Sequence, residues 1–290
     1  MKICALTMVY RDHWALAQWY RHYARALGPE NLYVIAHGPD PEIARICPGA
    51  SVLTIPRVEW KAFDRMRSRH LNQFQRWLAG FYDWIIRTDA DELICLDPAR
   101  YGSFADLLAQ EAEAPALFSL GFNLVEAPDD PDLPPDGPVF AARRHVDLSG
   151  NYSKAWVVRG DIGLQLHGIK LRAADLGAAP FVLPRGVYLA HLKYANLEAT
   201  RSSDTVRETV TGAIRPKAEP GRGWHNASAE TAGYLAAFFD KPRRPWDTAE
   251  PEVHETLATR PRRLRKFGVL KARAFRFDFR TDLPDWFAKL

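Results

Sequence analysis

Between Lys2 and Thr88 short apolar runs alternate with segments of helical spacing, and this alternation constrains the fold more than any other feature of the chain. Lys2–Val9 reads as a buried strand, and Asp12–Leu27 as an amphipathic helix stopped by Gly28-Pro29. Asn31–Ala36 is a second apolar run that ends in the turn-forming His37-Gly38-Pro39. Pro41–Ile46 suits a short helix and Ser51–Ile55 a third strand. Lys61–Gly80 carries Phe63, Met66, Leu71, Phe74, Trp77 and Leu78 at helical spacing, and Trp84–Thr88 is the fourth strand. Strands separated by helices need crossovers, so the expectation is an α/β fold with a mostly parallel central sheet covered on both faces. Ligands of such sheets gather at the carboxyl ends of the strands.

The fourth run ends in acid: Trp84-Ile85-Ile86-Arg87-Thr88-Asp89-Ala90-Asp91-Glu92-Leu93. Side chains at i and i+2 of an extended chain point the same way, so Asp89 and Asp91 are expected to converge at the strand end. Two hard oxygen ligands there suit Mg²⁺ or Mn²⁺, which leave room for substrate phosphates. The plainer alternative is an Asp-rich turn that only ends a strand.

Composition narrows the class. The 290 residues are 47% hydrophobic and 26% charged, with nine Trp and fifteen Phe, which supplies a sizeable core. A net charge of +4 suits an anionic small-molecule substrate or weak attraction to acidic lipid, and gives no argument for a nucleic-acid partner. Cys4, Cys47 and Cys95 lack Cys-x-x-Cys spacing and read as reduced, buried thiols rather than a disulfide framework or a zinc site. The opening residues lack a signal-peptide core, and no apolar stretch approaches the roughly 18 residues of a membrane span. These features lead to the expectation of a cytoplasmic protein.

Beyond Leu93 the pattern changes. Ser103–Asp106 resembles a capping box opening a helix to about Glu111. Ala116–Phe122 reads as a strand and Asp129–Pro138 as an exposed loop. Short β-like runs follow at Val139–Arg143, Ala155–Arg159, Ile162–Ile169 and Gly186–Leu192. From Asn196 the character is helical, with Leu197–Thr211 and Ser228–Phe239 flanking Pro216–His225, a Gly/Pro/basic segment with the composition of a lid. The tail from Arg260 to Arg280 interleaves basic residues with Leu and Phe. It would suit peripheral contact with an anionic inner-membrane leaflet, or a solvated basic segment packed on the rest.

Three stretches carry a family resemblance: the first strand's exit with Trp19-Tyr20-Arg21-His22-Tyr23, the acidic segment Asp83–Leu93, and His191-Leu192-Lys193-Tyr194. Over roughly residues 2–210 the chain resembles a family 2 type glycosyltransferase of the branch with a D-x-D-E signature. The resemblance implies a single Rossmann-like nucleotide-sugar-binding domain, the glycosyltransferase A-type fold, over 1–195, with a helical, basic extension over 196–290. It also implies sugar transfer from a nucleotide-diphosphate donor to a glycan, lipid-linked or other hydroxyl acceptor. Arg11-Asp12 departs from the family's usual Asn-Glu, so Arg11 is placed to reach a diphosphate.

Under this resemblance Asp91 ligates the metal, Asp89 contacts the metal or the ribose, and His191 is the third ligand, a set that favours Mn²⁺ over Mg²⁺. Donor contacts are expected from Thr7, Arg11, Asp12 and Asp40, and from Arg69 on the third helix, while Arg65 and Arg67 read as a solvated helix face. Asp161 or His167 is the candidate base for the acceptor hydroxyl. Lys154 would hold phosphate or acceptor, and Trp156 would stack on a sugar or fill the core. Glu92 either acts directly or orients the loop. Two other readings keep the same carboxylates: a haloacid-dehalogenase-like phosphohydrolase, with Asp89 as nucleophile, and a non-catalytic nucleotide- or carbohydrate-binding domain.

Overall fold

The computed structural model describes residues 1–58, 63–134, 137–213 and 226–290. It is a mixed α/β fold whose central sheet is mostly parallel, as the alternation predicts. Strands β1 (Ile3–Val9), β2 (Leu32–His37), β3 (Ser51–Ile55) and β4 (Trp84–Arg87) run parallel in the order β3-β2-β1-β4. Helices α1 (His13–Leu27), α2 (Pro41–Ile46) and α3 (Phe63–Leu78) form the crossovers. Trp19 and Tyr23 of α1 enter the main core, while Leu71 and Leu78 of α3 close a smaller apolar cluster on Cys4, Leu6 and Ile85.

Immediately after β4 the chain changes sheets. β5 (Glu92–Leu96) was not expected from the sequence. It joins a second, five-stranded sheet by pairing antiparallel with a late strand, Val187–Tyr194, and helix α4 (Phe104–Gln110) follows it, capped by Ser103 Oγ accepting from the Asp106 N–H. Ala116–Phe122, read as one strand, is two. β6 (Ala116–Phe118) lies at the far edge of the central sheet, and β7 (Leu120–Val125) belongs to the second one. The switch falls at Ser119, where Gly121 is so close to the Tyr152 backbone that a Cβ would stand 2.1 Å from its carbonyl carbon. Val139–Arg143 is not β: Pro138 starts a four-residue helix, α5 (Val139–Ala142), whose first N–H donates to Gln18 Oε1.

The remaining strands are β8 (His145–Leu148), β9 (Ala155–Val158), β10 (Gly163–Gln165), β11 (Gly168–Lys170) and β12 (Val187–Tyr194). β9 lies between β4 and β6, antiparallel to both, and β12 runs parallel to β7. Helices α6 (Leu197–Ala213), α7 (Ala227–Phe239) and α8 (Trp246–Ala258) follow. The start of the Asp129–Pro138 run is anchored, not simply exposed: the Asp130 side chain is buried, accepts from the Ala127 N–H, and faces Arg143 and His145. Pro216–His225 lies outside the described residues.

The tail returns to both outer sheets. β13 (Arg262–Leu264) and β14 (Val269–Lys271) extend the β10–β11 hairpin into a four-stranded antiparallel sheet, and β15 (Thr281–Asp282) pairs with β8. All three cysteines are free and buried, and burial pushes Cys4 and Cys47 up to about 12. Among the described residues no helix is long and apolar enough to cross a membrane.

Candidate active site

The crossing from β4 to β5 places Asp89, Ala90 and Asp91 between the two sheets, on the wall of a cavity of about 1010 Å³. The cavity opens at the carboxyl ends of β1, β2 and β4, where ligands of parallel sheets bind.

Helix α1 fixes this crossing. Trp19 Nε1 donates to Thr88 Oγ1 at 2.9 Å, His22 Nε2 bonds the Ile94 carbonyl at 2.7 Å, and the Ile94 N–H donates to Tyr23 Oη at 3.0 Å. Burial lowers His22 to about 4, so it stays neutral while donating. The aromatic segment of the first helix is therefore a clamp on the acidic segment.

The two Asp side chains do not converge. The chain leaves extended geometry after Arg87 and turns, with the Glu92 N–H donating to the Asp89 carbonyl, so the i, i+2 argument fails here. Asp89 turns to Arg67 at 2.5 Å and to Lys154 Nζ at 3.4 Å. Burial raises its pKa, but those two cations outweigh burial and hold it well below the usual carboxylate range. Arg67 is thus no solvated side chain; α3 delivers it to the acidic loop.

Asp91 faces His191 instead, with Oδ2 3.2 Å from Nε2. Register makes this pair: His191 on β12 stands opposite Glu92 of β5 and beside Asn123 of β7. His191 Nδ1 lies 2.7 Å from Asn123 Oδ1, and Asn123 Nδ2 donates to Tyr234 Oη, which donates to Asp147. This network assigns the Nδ1–H tautomer and leaves Nε2 toward Asp91. Tyr152 stacks on the imidazole with centroids 3.9 Å apart. Asn123, the one polar side chain of the Leu120–Val125 run, escaped the sequence reading, although that isolation was a signal.

Glu92 is 1% exposed as a side chain and uses both oxygens: Oε1 lies 2.6 Å from Lys154 Nζ and Oε2 accepts from the Asp89 N–H at 3.0 Å. Burial pushes its pKa up despite Lys154. Of its two expected roles, the geometry matches orientation of the loop. Asp91, Glu92 and His191 each offer a ligand atom within 4.8 Å of the others. Cis ligands about 2.1 Å from one octahedral cation lie about 3 Å apart, so Asp91 and His191 fit a divalent ion as they stand.

The other sequence candidates divide. Arg11, Asp12 and His167 line the cavity with Asp89, Asp91, Lys154 and His191. Arg11 holds φ +53 at the β1 exit, a conformation that Asn adopts more readily than Arg. Asp12 rises to about 6 through burial and the charge of Asp91. His167 stands on a two-residue hairpin turn, Leu166-His167, whose φ values are +52 and +64. Its Nδ1 lies 3.0 Å from the Asn151 carbonyl, and desolvation with the charges of Lys154 and Lys271 pulls its pKa down.

Thr7, Asp40, Arg69 and Asp161 do not line the cavity. Thr7 is buried inside β1. Asp40 caps α2 by accepting from the Glu42 N–H and bonds His13 at 2.8 Å. Arg69 and Arg65 are exposed on α3. Asp161 is 80% exposed and pairs with Arg76, because β9 carries it away from the acidic loop before the chain turns back. Trp156 is a core residue packed near Phe104.

At its other end the cavity is aromatic and cationic. Tyr10, His37, Arg57 and Phe63 line it, with the Arg57 guanidinium 4.1 Å from the Tyr10 ring centre. Lys193, Arg207, Glu230 and Arg276 also line it, and Lys193 and Arg207 share a small adjoining pocket with Asp12 and Asp91. Apart from Asp12 and Asp91, none of these was read from the sequence as a site residue.

No family profile matches this chain, nor does any curated protein. Among solved structures it is similar to a 4-diphosphocytidyl-2C-methyl-D-erythritol synthase, with 13% identity and a TM-score of 0.37 over 64% of this chain and 89% of that one. It is also similar to CMP:2-keto-3-deoxy-manno-octonic acid synthetase complexed with CTP, with 11% identity, a TM-score of 0.32 and coverage of 81% and 99%. A mannose-1-phosphate geranyltransferase from Thermus thermophilus has 14% identity and a TM-score of 0.25 over 98% and 74%. Likenesses this distant carry no argument about the site, which has to be read from its own residues.

Proposed function

We propose that the chain is a metal-dependent glycosyltransferase of the A-type fold, moving a sugar from a nucleotide-diphosphate donor to a hydroxyl acceptor. The observation that carries this reading is Asp91 facing the Nε2 of a His191 whose tautomer is held by Asn123, on the wall of a large cavity at the strand ends. Asp91 and His191 would hold Mn²⁺ or Mg²⁺. The ion, when bound, neutralises charge that grows on the departing diphosphate.

The protein's own groups supply the rest. Arg11, Lys193 and Arg207 line the same cavity as Asp91, and each unit charge pair about 4 Å apart is worth roughly 4 kcal/mol at an effective dielectric near 20. Arg67 and Lys154 keep Asp89 ionised and the loop fixed, so little reorganisation accompanies charge transfer. The Tyr10, His37 and Phe63 wall offers faces for a nucleobase. His167, with Nδ1–H committed to the Asn151 carbonyl, keeps an Nε2 lone pair for the acceptor's hydroxyl proton.

The test is release of nucleoside diphosphate from a panel of nucleotide sugars with Mn²⁺, with Mg²⁺ or with a chelator. Metal-dependent release from one donor, lost in Asp91→Ala, is the expected result. If Asp91→Ala instead leaves nucleotide binding intact and no donor is ever cleaved, the binding-domain reading takes its place.

A further inference from the structure

The four-stranded sheet built by the tail has two unlike faces. Ile169 of β11 and Leu270 of β14 are paired in register and buried. Arg262 of β13 pairs with Lys271 of β14, and Lys170 with Val269, so alternation puts Arg262, Lys271 and Lys170 on the face opposite that core, around the buried Val269. The β13–β14 turn extends this face with Arg265, Lys266 and Phe267, all exposed, before Gly268 at φ +60. Phe267 is 45% exposed, and Leu166, on the β10–β11 turn at the opposite end of the sheet, is 48% exposed.

Charge on this tail is one-sided. From Thr256 to Phe277 the sequence has eight Arg or Lys and no Asp or Glu. None of the eight is ion-paired among the described residues, whereas Arg67, Arg76, Arg143, Arg144, Arg243 and Arg244 each have a carboxylate partner. Uncompensated like charge on one surface opposes folding, so a surface of this kind is matched to an anionic partner. The two exposed apolar side chains identify which. A soluble polyanion offers nothing to Phe267 and Leu166, while the headgroup boundary of an anionic bilayer takes both the cations and the apolar tips. The same region also reaches the cavity: His167 neighbours Leu166 on the hairpin tip, and Arg276 of the basic run lines the wall.

We infer that this basic sheet, with Phe267 at one end and Leu166 at the other, lies flat on an anionic membrane surface and turns the cavity mouth toward it. The acceptor would then be a membrane-borne hydroxyl compound. Docking stands apart from the transferase reading, because vesicle binding reads the tail while donor cleavage reads the cavity.

The experiment is flotation of the full chain with phosphatidylcholine vesicles, with or without phosphatidylserine, at low and high salt. Cutting the tail away would remove β14 and β15 from their sheets, so point variants on exposed side chains are used. Near an anionic leaflet each basic side chain is worth on the order of fivefold in partition. Arg265→Glu with Lys266→Glu should therefore reduce flotation by about tenfold or more, and Arg262→Glu on the adjoining strand should reduce it too, with melting temperatures unchanged. Phe267→Ser should lower the fraction that resists high salt. Wild-type flotation that ignores phosphatidylserine, or that survives both charge reversals, overturns the inference. Retention on heparin without flotation overturns it in favour of a soluble polyanion.

Discussion

The two ends of the cavity are held by different means. At the acidic end the charged groups are already partnered, and the partners come from distant elements: Arg67 from α3, Lys154 just before β9, His191 from β12, Asn123 from β7. At the aromatic end Tyr10, His37, Arg57 and Phe63 lie close to the strand exits and meet through ring contacts, with centroids 6.1 Å apart for Tyr10 and His37 and 6.0 Å for His37 and Phe63. A site fixed by long-range buried pairs couples chemistry to stability. A wall of rings at the end of a strand, the start of a helix and a strand exit is free to set ligand preference with little effect on the fold.

The largest expected effect is on catalysis at the acidic end. Asp91→Ala should lower metal-dependent transfer on the order of a thousandfold, since a cation's charge stabilisation is worth several kcal/mol. Steady-state rates check this, and a full-rate variant would break the comparison at its first term. Next comes stability. Lys154→Met leaves Glu92 buried without its cation, which should cost about 3 kcal/mol in denaturant unfolding. Lys154→Met combined with Glu92→Gln should recover much of that loss, and no recovery would mean the pair is not coupled.

At the aromatic end Tyr10→Ala should weaken nucleotide binding by roughly 1–3 kcal/mol through lost base stacking, with the melting temperature of the ligand-free protein nearly unchanged. Calorimetric titration separates the two quantities. If stability falls instead, the wall is core and the contrast between the ends disappears.

A smaller effect concerns pH. Asp12 is raised to about 6 in the folded protein from 3.8. The folded state therefore binds its proton more tightly than the unfolded one, and stability from this group is fully present below about pH 4 and lost as pH rises through about 6. Asp12→Asn should raise the melting temperature of metal-free protein at pH 7.5 and change it little at pH 4. For the stability of the ligand-free protein Arg11→Asn is expected to matter least, adding about 0.5 kcal/mol in denaturant unfolding by placing a residue that tolerates φ +53 at the β1 exit.

The same division explains what could be read from the sequence. The β1–α3 region was legible almost to the residue, because each strand is an apolar run and the first helix has its own stop signal; α2 and β3 fall where the sequence put them. The structure brings Asp91, His191, His167, Lys154 and Arg11 to one cavity, while the roles given to them come from the resemblance alone. What could not be read is produced by sheet switching. The break at Ser119 divides one apolar run between two sheets, and the turn after Arg87 parts Asp89 from Asp91. Neither has a periodicity of its own. Asp40 and Asp161 misled because an acid at a strand exit can cap a helix or pair on the surface equally well. Arg67 was missed because helical spacing shows its face and not its reach.

The central claim is that Asp91 and His191 form a metal site joined to a nucleotide pocket. It is tested most directly by thermal melting with UDP, GDP, CDP and dTDP, each with Mn²⁺, Mg²⁺ or EDTA. A ligand at about 100 times its dissociation constant adds about 2.7 kcal/mol of stability, which moves a melt visibly. The account predicts a rise with one nucleotide that needs the metal and is lost in both Asp91→Ala and His191→Ala. A rise that persists in EDTA and in both variants, or no rise with any nucleotide and metal, would contradict it.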